Sequence, residues 1–153
     1  MTCRKAEITD ITVLNRISVT SKRHWGYPEE WIENWKEDLT LTANDLNSQE
    51  TLVMDFKRRI IGFCSIKDNG DRYEVIHLWI LPEFIGKGYG KILLKETLTL
   101  FVLEDNPIWV LADPNAESFY NKQGFITLEK VESFPKGRYL PLMKMDRFLQ
   151  NKK

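Results

Sequence analysis

Apolar residues recur along this chain in two ways, at three-to-four-residue spacing and in short continuous runs. The alternation of the two sets the expected elements. Residues Cys3 to Ile8 read as a strand, and Thr9-Asp10 supplies an N-cap for ITVLNRISVTSKRHW, whose Ile11, Leu14 and Ile17 to Val19 fall at helical spacing. After the turn-prone Gly26-Tyr27-Pro28, Trp31, Trp35 and Leu39 stand four residues apart and form the apolar stripe of a second helix. TLVMDF and IIGFCSI, divided by Lys57-Arg58-Arg59, read as two antiparallel strands joined by a tight connection. Tyr73 to Leu81 is almost continuously apolar, as a central strand is, and Pro82 ends it. The loop FIGKGYG leads into KILLKETLTLFVLE, an amphipathic helix of about four turns. Pro107 to Ala112 is a short strand, Ala116 to Lys122 a helix ended by Gly124, and FITLEKV a further strand. Ser133 to Arg138 is a polar turn. Tyr139 to Met145 closes the pattern, with Pro141 arguing for an edge strand or a bulge. The order describes a single α/β domain, residues 1–153, with a mixed sheet and helices on both faces.

Composition narrows the class. Hydrophobic residues make up 42% of 153, enough for one core and hardly for two. The longest stretch without a charged residue, Val75 to Pro82, is far shorter than the roughly 20 apolar residues of a membrane-spanning helix. With 22 basic and 22 acidic residues the chain lacks the broad positive field of non-specific nucleic-acid binders. Two cysteines, Cys3 and Cys64, and an N-terminus without a signal-like apolar stretch lead to the expectation of a cytoplasmic protein with free thiols. The two histidines and two cysteines are scattered without ligand spacing, so no metal site is expected.

The glycine loop carries the first chemistry. Gly86, Gly88 and Gly90 alternate with Lys87 and Tyr89 at the mouth of a helix, where glycines adopt backbone angles closed to other residues and the helix end offers unsatisfied N–H donors. Such a loop suits an anion, phosphate above all. Two phosphate motifs fail on inspection. A Walker loop needs Ser or Thr after Gly90-Lys91, where Ile92 stands, and a dinucleotide fingerprint needs glycine at Lys91. Taken alone, three glycines are equally compatible with a sharp turn into a helix.

The surrounding residues resemble the GNAT superfamily of N-acetyltransferases. Ile85-Gly86-Lys87-Gly88-Tyr89-Gly90 matches both required glycines of that family's Q/R-x-x-G-x-G/A motif, with Ile85 in place of its first residue. ADPNAESFYNKQGF, residues 112–125, is similar to the family's next motif at Ala116, Tyr120, Gly124 and Phe125, with Asp113 where the family carries Asn and Asn115 two residues on. The resemblance implies a mostly antiparallel twisted sheet with splayed central strands. It also implies acetyl-CoA as cofactor, an amine acceptor, and an acetyl transfer by direct attack in a ternary complex. Dimerisation is common in the family. The alternative is a non-catalytic acyl-CoA-binding sensor or regulatory subunit, which would keep the loop and tolerate loss of Tyr120.

Roles follow from the same resemblance. Gly86 to Lys91 form the phosphate cradle, with Lys87 and Lys91 as candidate side-chain contacts, and Asn115 is a candidate for the pantetheine arm. Leu78, Trp79, Ile80 and Leu81 lie on the strand whose backbone would pair with pantetheine amides. Tyr120 is the candidate proton donor to the departing thiolate, since a phenol with pKa near roughly 10 stays protonated at neutral pH. Glu74, counted back from Gly90, and His77, with the better intrinsic pKa, are alternative bases, and water is a third. Alternation places Glu74 and His77 on opposite faces of a strand unless a bulge intervenes. His24, Trp25, Tyr27 and Trp31 fall in the wall expected to receive the acceptor, and Arg138 is a candidate partner for an acceptor carboxylate. Trp31 and Trp35 at helical spacing also read as core.

Overall fold

The Lys57-Arg58 step between two apolar runs is a two-residue hairpin turn. Both residues take positive φ, 51° and 65°, the conformation that matches the twist of the strands it joins. In the computed structural model, which describes residues 1–148, it connects β2 (Glu50–Phe56) to β3 (Arg59–Asp68). The last five residues of the expected 1–153 domain lie outside that range. With β1 (Thr2–Lys5), β4 (Tyr73–Ile80), β5 (Ile108–Leu111), β6 (Ile126–Glu132) and β7 (Tyr139–Met145), these strands form one sheet ordered β1-β2-β3-β4-β5-β7-β6. Every pairing is antiparallel except β4 with β5.

Helices α1 (Ile11–Arg23) and α2 (Glu29–Leu39) precede β2, α4 (Tyr89–Phe101) follows β4, and α5 (Glu117–Lys122) follows β5. Cross-strand partners share a face, so Phe63 and Trp79 point together and Cys64 points the other way. Trp79 packs with Ile32, Trp35 and Leu39 of α2, whereas Cys64 approaches Thr97 of α4, so the helices cover opposite faces. Leu14 and Ile17 of α1, Leu93 and Leu98 of α4, Phe63 and Met143 of the sheet, and Phe125 just before β6 are almost wholly removed from water. Burial of such side chains is what holds a sheet between two helical layers.

Three local features differ from the sequence reading. Helix α3 (Ala43–Ser48) was not foreseen, because none of its residues is buried and no apolar stripe marks it. A capping box starts it: Thr42 Oγ1 accepts from the Asp45 N–H at 3.2 Å, and Asp45 Oδ2 accepts from the Thr42 N–H at 2.8 Å. Strand β7 is internal rather than an edge. Pro141 sits just past the last β5 pair, Leu111–Leu142, with its carbonyl accepting from the Ala112 N–H, and the β6–β7 register shifts nearby between Thr127 and Glu129, as in a bulge. Finally, β4 carries a bulge: Ser65 pairs with His77 but Ile66 with Val75, leaving Ile76 as the extra residue.

Candidate active site

The bulge lies where the sheet opens. Strands β4 and β5 pair only at Tyr73–Ile108, Glu74–Trp109 and Val75–Val110; beyond them β4 follows β3 to Ile80 while β5 stays with β7. The gap is a cleft of about 530 Å³, with Ile76 to Ile80 on one wall and Val110 to Asp113 on the other. Ser21 and Trp25 reach it from the α1 layer, and Gly86, Gly88, Phe119 and Tyr120 from the α4–α5 layer. It therefore opens towards both faces of the sheet.

The α4 end is built from backbone. Gly88 is the N-cap of the 13-residue helix with φ +83°, and Gly86 has φ +82°; neither would have an atom within 4 Å of a Cβ, so open space lies in front of both. No main-chain carbonyl among the described residues accepts from the N–H groups of residues 86–91, and the first intrahelical bond is Ile92 N–H to Gly88 O. Unsatisfied donors, a helix dipole and empty space together fit a diphosphate. Tyr89, Gly90 and Lys91 line the cleft, whereas Lys87 does not; its ammonium lies 5.9 Å from the Phe84 ring centre.

Tyr120 comes into the cleft from α5. Its side chain is buried, between Phe119 and Phe125 at 5.2 and 5.4 Å ring separation, and its hydroxyl has no hydrogen-bond partner among the described residues. Burial pushes the phenol well above its ordinary range, so it keeps its proton at neutral pH. His77 lines the cleft too. Burial pulls its pKa down to about 4, Asp45 opposing only weakly, and the ring is neutral near pH 7. Its Nδ1 accepts from the Trp79 indole N–H at 3.1 Å, which assigns the ring proton to Nε2.

The bulge puts Glu74 and His77 on the same face, since their partners Lys67 and Ser65 are two apart on β3. They are not brought together, however. Glu74 lies outside the cleft because β4 and β5 are still paired there; its carboxylate accepts from Asn69 Nδ2 at 2.6 Å. Leu78, Trp79 and Ile80 line the cleft, but Leu81 is buried behind it with its N–H donated to Ile61 O at 2.8 Å.

At the α1–α2 end the cleft abuts a polar cluster that sequence reasoning assembled only in part. Asp113, two residues past the end of β5, binds the Lys22 ammonium; Oδ2 also accepts from Arg138 Nη2 at 3.3 Å, and both oxygens accept from Tyr27 Oη at 3.1 Å. Asn115 adds its backbone N–H at 2.8 Å and its side-chain Nδ2 at 3.0 Å, both to Oδ1. The cations lie against rings: Lys22 Nζ is 4.7 Å from Trp35, and the Arg138 guanidinium 4.4 Å from Trp35 and 5.1 Å from Tyr27. Although burial works to raise the Asp113 carboxyl, Lys22, Asn115 and Tyr27 outweigh it and hold the group below the ordinary carboxylate range. Burial pushes the Lys22 ammonium down, and Arg138 adds to that.

Of the residues expected to meet the acceptor, only Trp25 lines the cleft; Tyr27 and Arg138 stand behind Asp113, which lines it together with Asn115, the residue expected at the pantetheine arm. His24 is exposed and packs edge-on against Trp25, and Trp31 joins the ring cluster of Tyr27 and Trp35. Lys22, Ser21 and Phe119 were not singled out from the sequence. Nothing in the spacing of Lys22 sets it apart from any basic residue near a helix C-terminus, and its partner is 91 residues away. Among the described residues no group of three potential metal ligands occurs, and no helix is long and apolar enough to cross a membrane.

Residues 20–146 match the acetyltransferase (GNAT) domain family. The chain is 30% identical over 139 residues to spermidine N(1)-acetyltransferase of Thermoplasma acidophilum, covering 80% of this chain and 86% of that one. It is 26% identical over 131 residues to an uncharacterized N-acetyltransferase, ycf52, of Pyropia yezoensis, covering 82% and 75%. Its fold is that of a GCN5-related N-acetyltransferase from Rhodopseudomonas palustris, with TM-score 0.78, 24% identity and 94% of each chain covered. It is likewise that of the PaiA N-acetyltransferase of T. acidophilum in complex with coenzyme A, with TM-score 0.74, 24% identity and coverage of 96% and 98%. The chain belongs to the GNAT acetyltransferase family. It is an acyltransferase whose acyl donor is acetyl-CoA.

Proposed function

We propose that the protein transfers the acetyl group of acetyl-CoA to a primary amine by direct attack in a ternary complex held between β4 and β5. The observation that carries this reading is that a backbone anion cradle and an unpartnered, protonated Tyr120 open into the same cleft. When bound, acetyl-CoA supplies an activated thioester. The N–H groups of residues 86–91 hold the diphosphate, and the β4 edge beyond Val75, free of β5, offers main-chain groups to the pantetheine amides. Tyr120 donates its proton to the sulfur as the amine nitrogen bonds to the acyl carbon and the C–S bond breaks. The surplus ammonium proton passes to water, since His77 Nδ1 is already engaged and Glu74 lies outside the cleft. Cys3 and Cys64, both unpaired, suit a cytoplasmic setting.

Thiol release from acetyl-CoA, measured against a panel of amines, tests the reading. Saturable, acceptor-dependent release is expected. Binding of coenzyme A with no release for any amine would instead favour the acyl-CoA sensor.

A further inference from the structure

The polar cluster at the α1–α2 end bears on which amine is accepted. Asp113 is the only carboxylate among the described residues lining the cleft, and an ionised carboxylate offers about four lone-pair sites. Lys22, Arg138, Tyr27 and Asn115, the last through both its backbone and its side chain, already fill them. An ammonium also binds well over aromatic faces, but the Trp35 and Tyr27 rings are already occupied by Lys22 and Arg138. Two cations around one anion leave the cluster one positive charge in excess, in a setting where Arg138, Lys22 and Asp113 side chains are only 11%, 10% and 12% exposed. Poorly hydrated charge acts over longer distances than surface charge. Of the guanidinium donors, only Nη2 has hydrogen-bond partners among the described residues, so Nε and Nη1 remain uncommitted.

We propose that the acceptor is a small amine that carries its own carboxylate, an amino acid in chemical class, and that Arg138 is the residue that selects it. The inference rests on the acetyl-transfer reading above. A polycationic acceptor meets the opposite situation, with no free carboxylate in the cleft and a net positive charge at its end.

The test uses matched acceptors that differ only in the carboxylate: phenylalanine against phenethylamine, and arginine against agmatine, with spermidine as the polycation, each assayed by thiol release with the full chain. For at least one pair, kcat/KM for the amino acid is expected to exceed that of its decarboxylated amine by tenfold or more. Arg138→Gln is expected to bring that ratio close to one, chiefly through the KM of the amino acid, and Arg138→Lys, which keeps the charge without the fork, to leave an intermediate preference. A purely structural arginine would lower the rate for both members of a pair alike. Turnover of the amines or of spermidine at or above the rate of the amino acids would overturn the proposal while leaving acetyl transfer intact. Coenzyme A binding without turnover of any acceptor would overturn both.

Discussion

The two ends of the cleft are built on different principles. The α4 end is made of main-chain N–H groups from six consecutive residues, 86–91, whose conformation two positive-φ glycines set. The α1–α2 end is made of side chains from separate segments: Lys22 at the end of α1 and Tyr27 in the α1–α2 connection, Asp113 and Asn115 after β5, and Arg138 before β7. A backbone site recognises what every donor molecule shares, and its chemistry survives most side-chain changes around it. A side-chain site changes its charge with a single substitution. On the function proposed above, donor recognition and acceptor choice are thereby separable within one cleft.

That separation can be broken at either end, and the largest effect is expected at the side-chain end. Asp113→Ala leaves Lys22 and Arg138 unpaired, and denaturant unfolding at pH 7 should show a loss of about 3–5 kcal/mol; a loss below about 1 kcal/mol would mean that the cluster is hydrated like a surface ion pair. The next effect lies in the wall between the ends. Burial holds His77 at about 4 in the folded protein against an ordinary 6.5, so as pH falls the unfolded chain takes up this proton first. Its contribution is complete above pH 6.5 and is lost as pH falls through 4, about 3 kcal/mol in all. His77→Phe should flatten the stability profile in that window. The Asp113 carboxyl, held below its ordinary range, loses its contribution only at lower pH.

At the reacting centre, Tyr120→Phe removes a hydroxyl without a partner, so folding and coenzyme A affinity should hardly change while kcat falls about a hundredfold. An unchanged kcat would remove Tyr120 from the chemistry. The smallest effect compares two glycines of like conformation. Gly88 (φ +83°) and Gly26 (φ +79°) both face open space, and alanine at either costs about 1–2 kcal/mol of strain. Only Gly88→Ala should weaken coenzyme A binding, by about tenfold; equal affinities for the two variants would show that the loop conformation does not matter to the ligand.

Legibility in the sequence follows the same division. The strand–glycine loop–helix unit was readable because its residues are contiguous and its glycines have a mechanical reason. Most strands were readable because β2, β3 and β4 are apolar runs bounded by turns. Helix α3 has no buried face, so only the Thr42–Asp45 capping pair marked it in the sequence. The bulge at Ile76, which turns His77 towards α2, is a tertiary adjustment that alternation alone does not reveal. Arg138 and Tyr27 were singled out individually, but their meeting depends on the 133–138 turn reaching α2, where Phe134 O accepts from the Trp35 indole N–H at 3.1 Å. No local pattern encodes a contact between positions 35 and 134.

Titrating coenzyme A and, separately, pantetheine into the wild-type protein by calorimetry isolates the backbone cradle, because pantetheine shares the arm but lacks the phosphates. Coenzyme A should bind at least tenfold more tightly, with the advantage shrinking in Gly88→Ala. Equal affinity for the two ligands would contradict a cleft whose donor end grips a diphosphate.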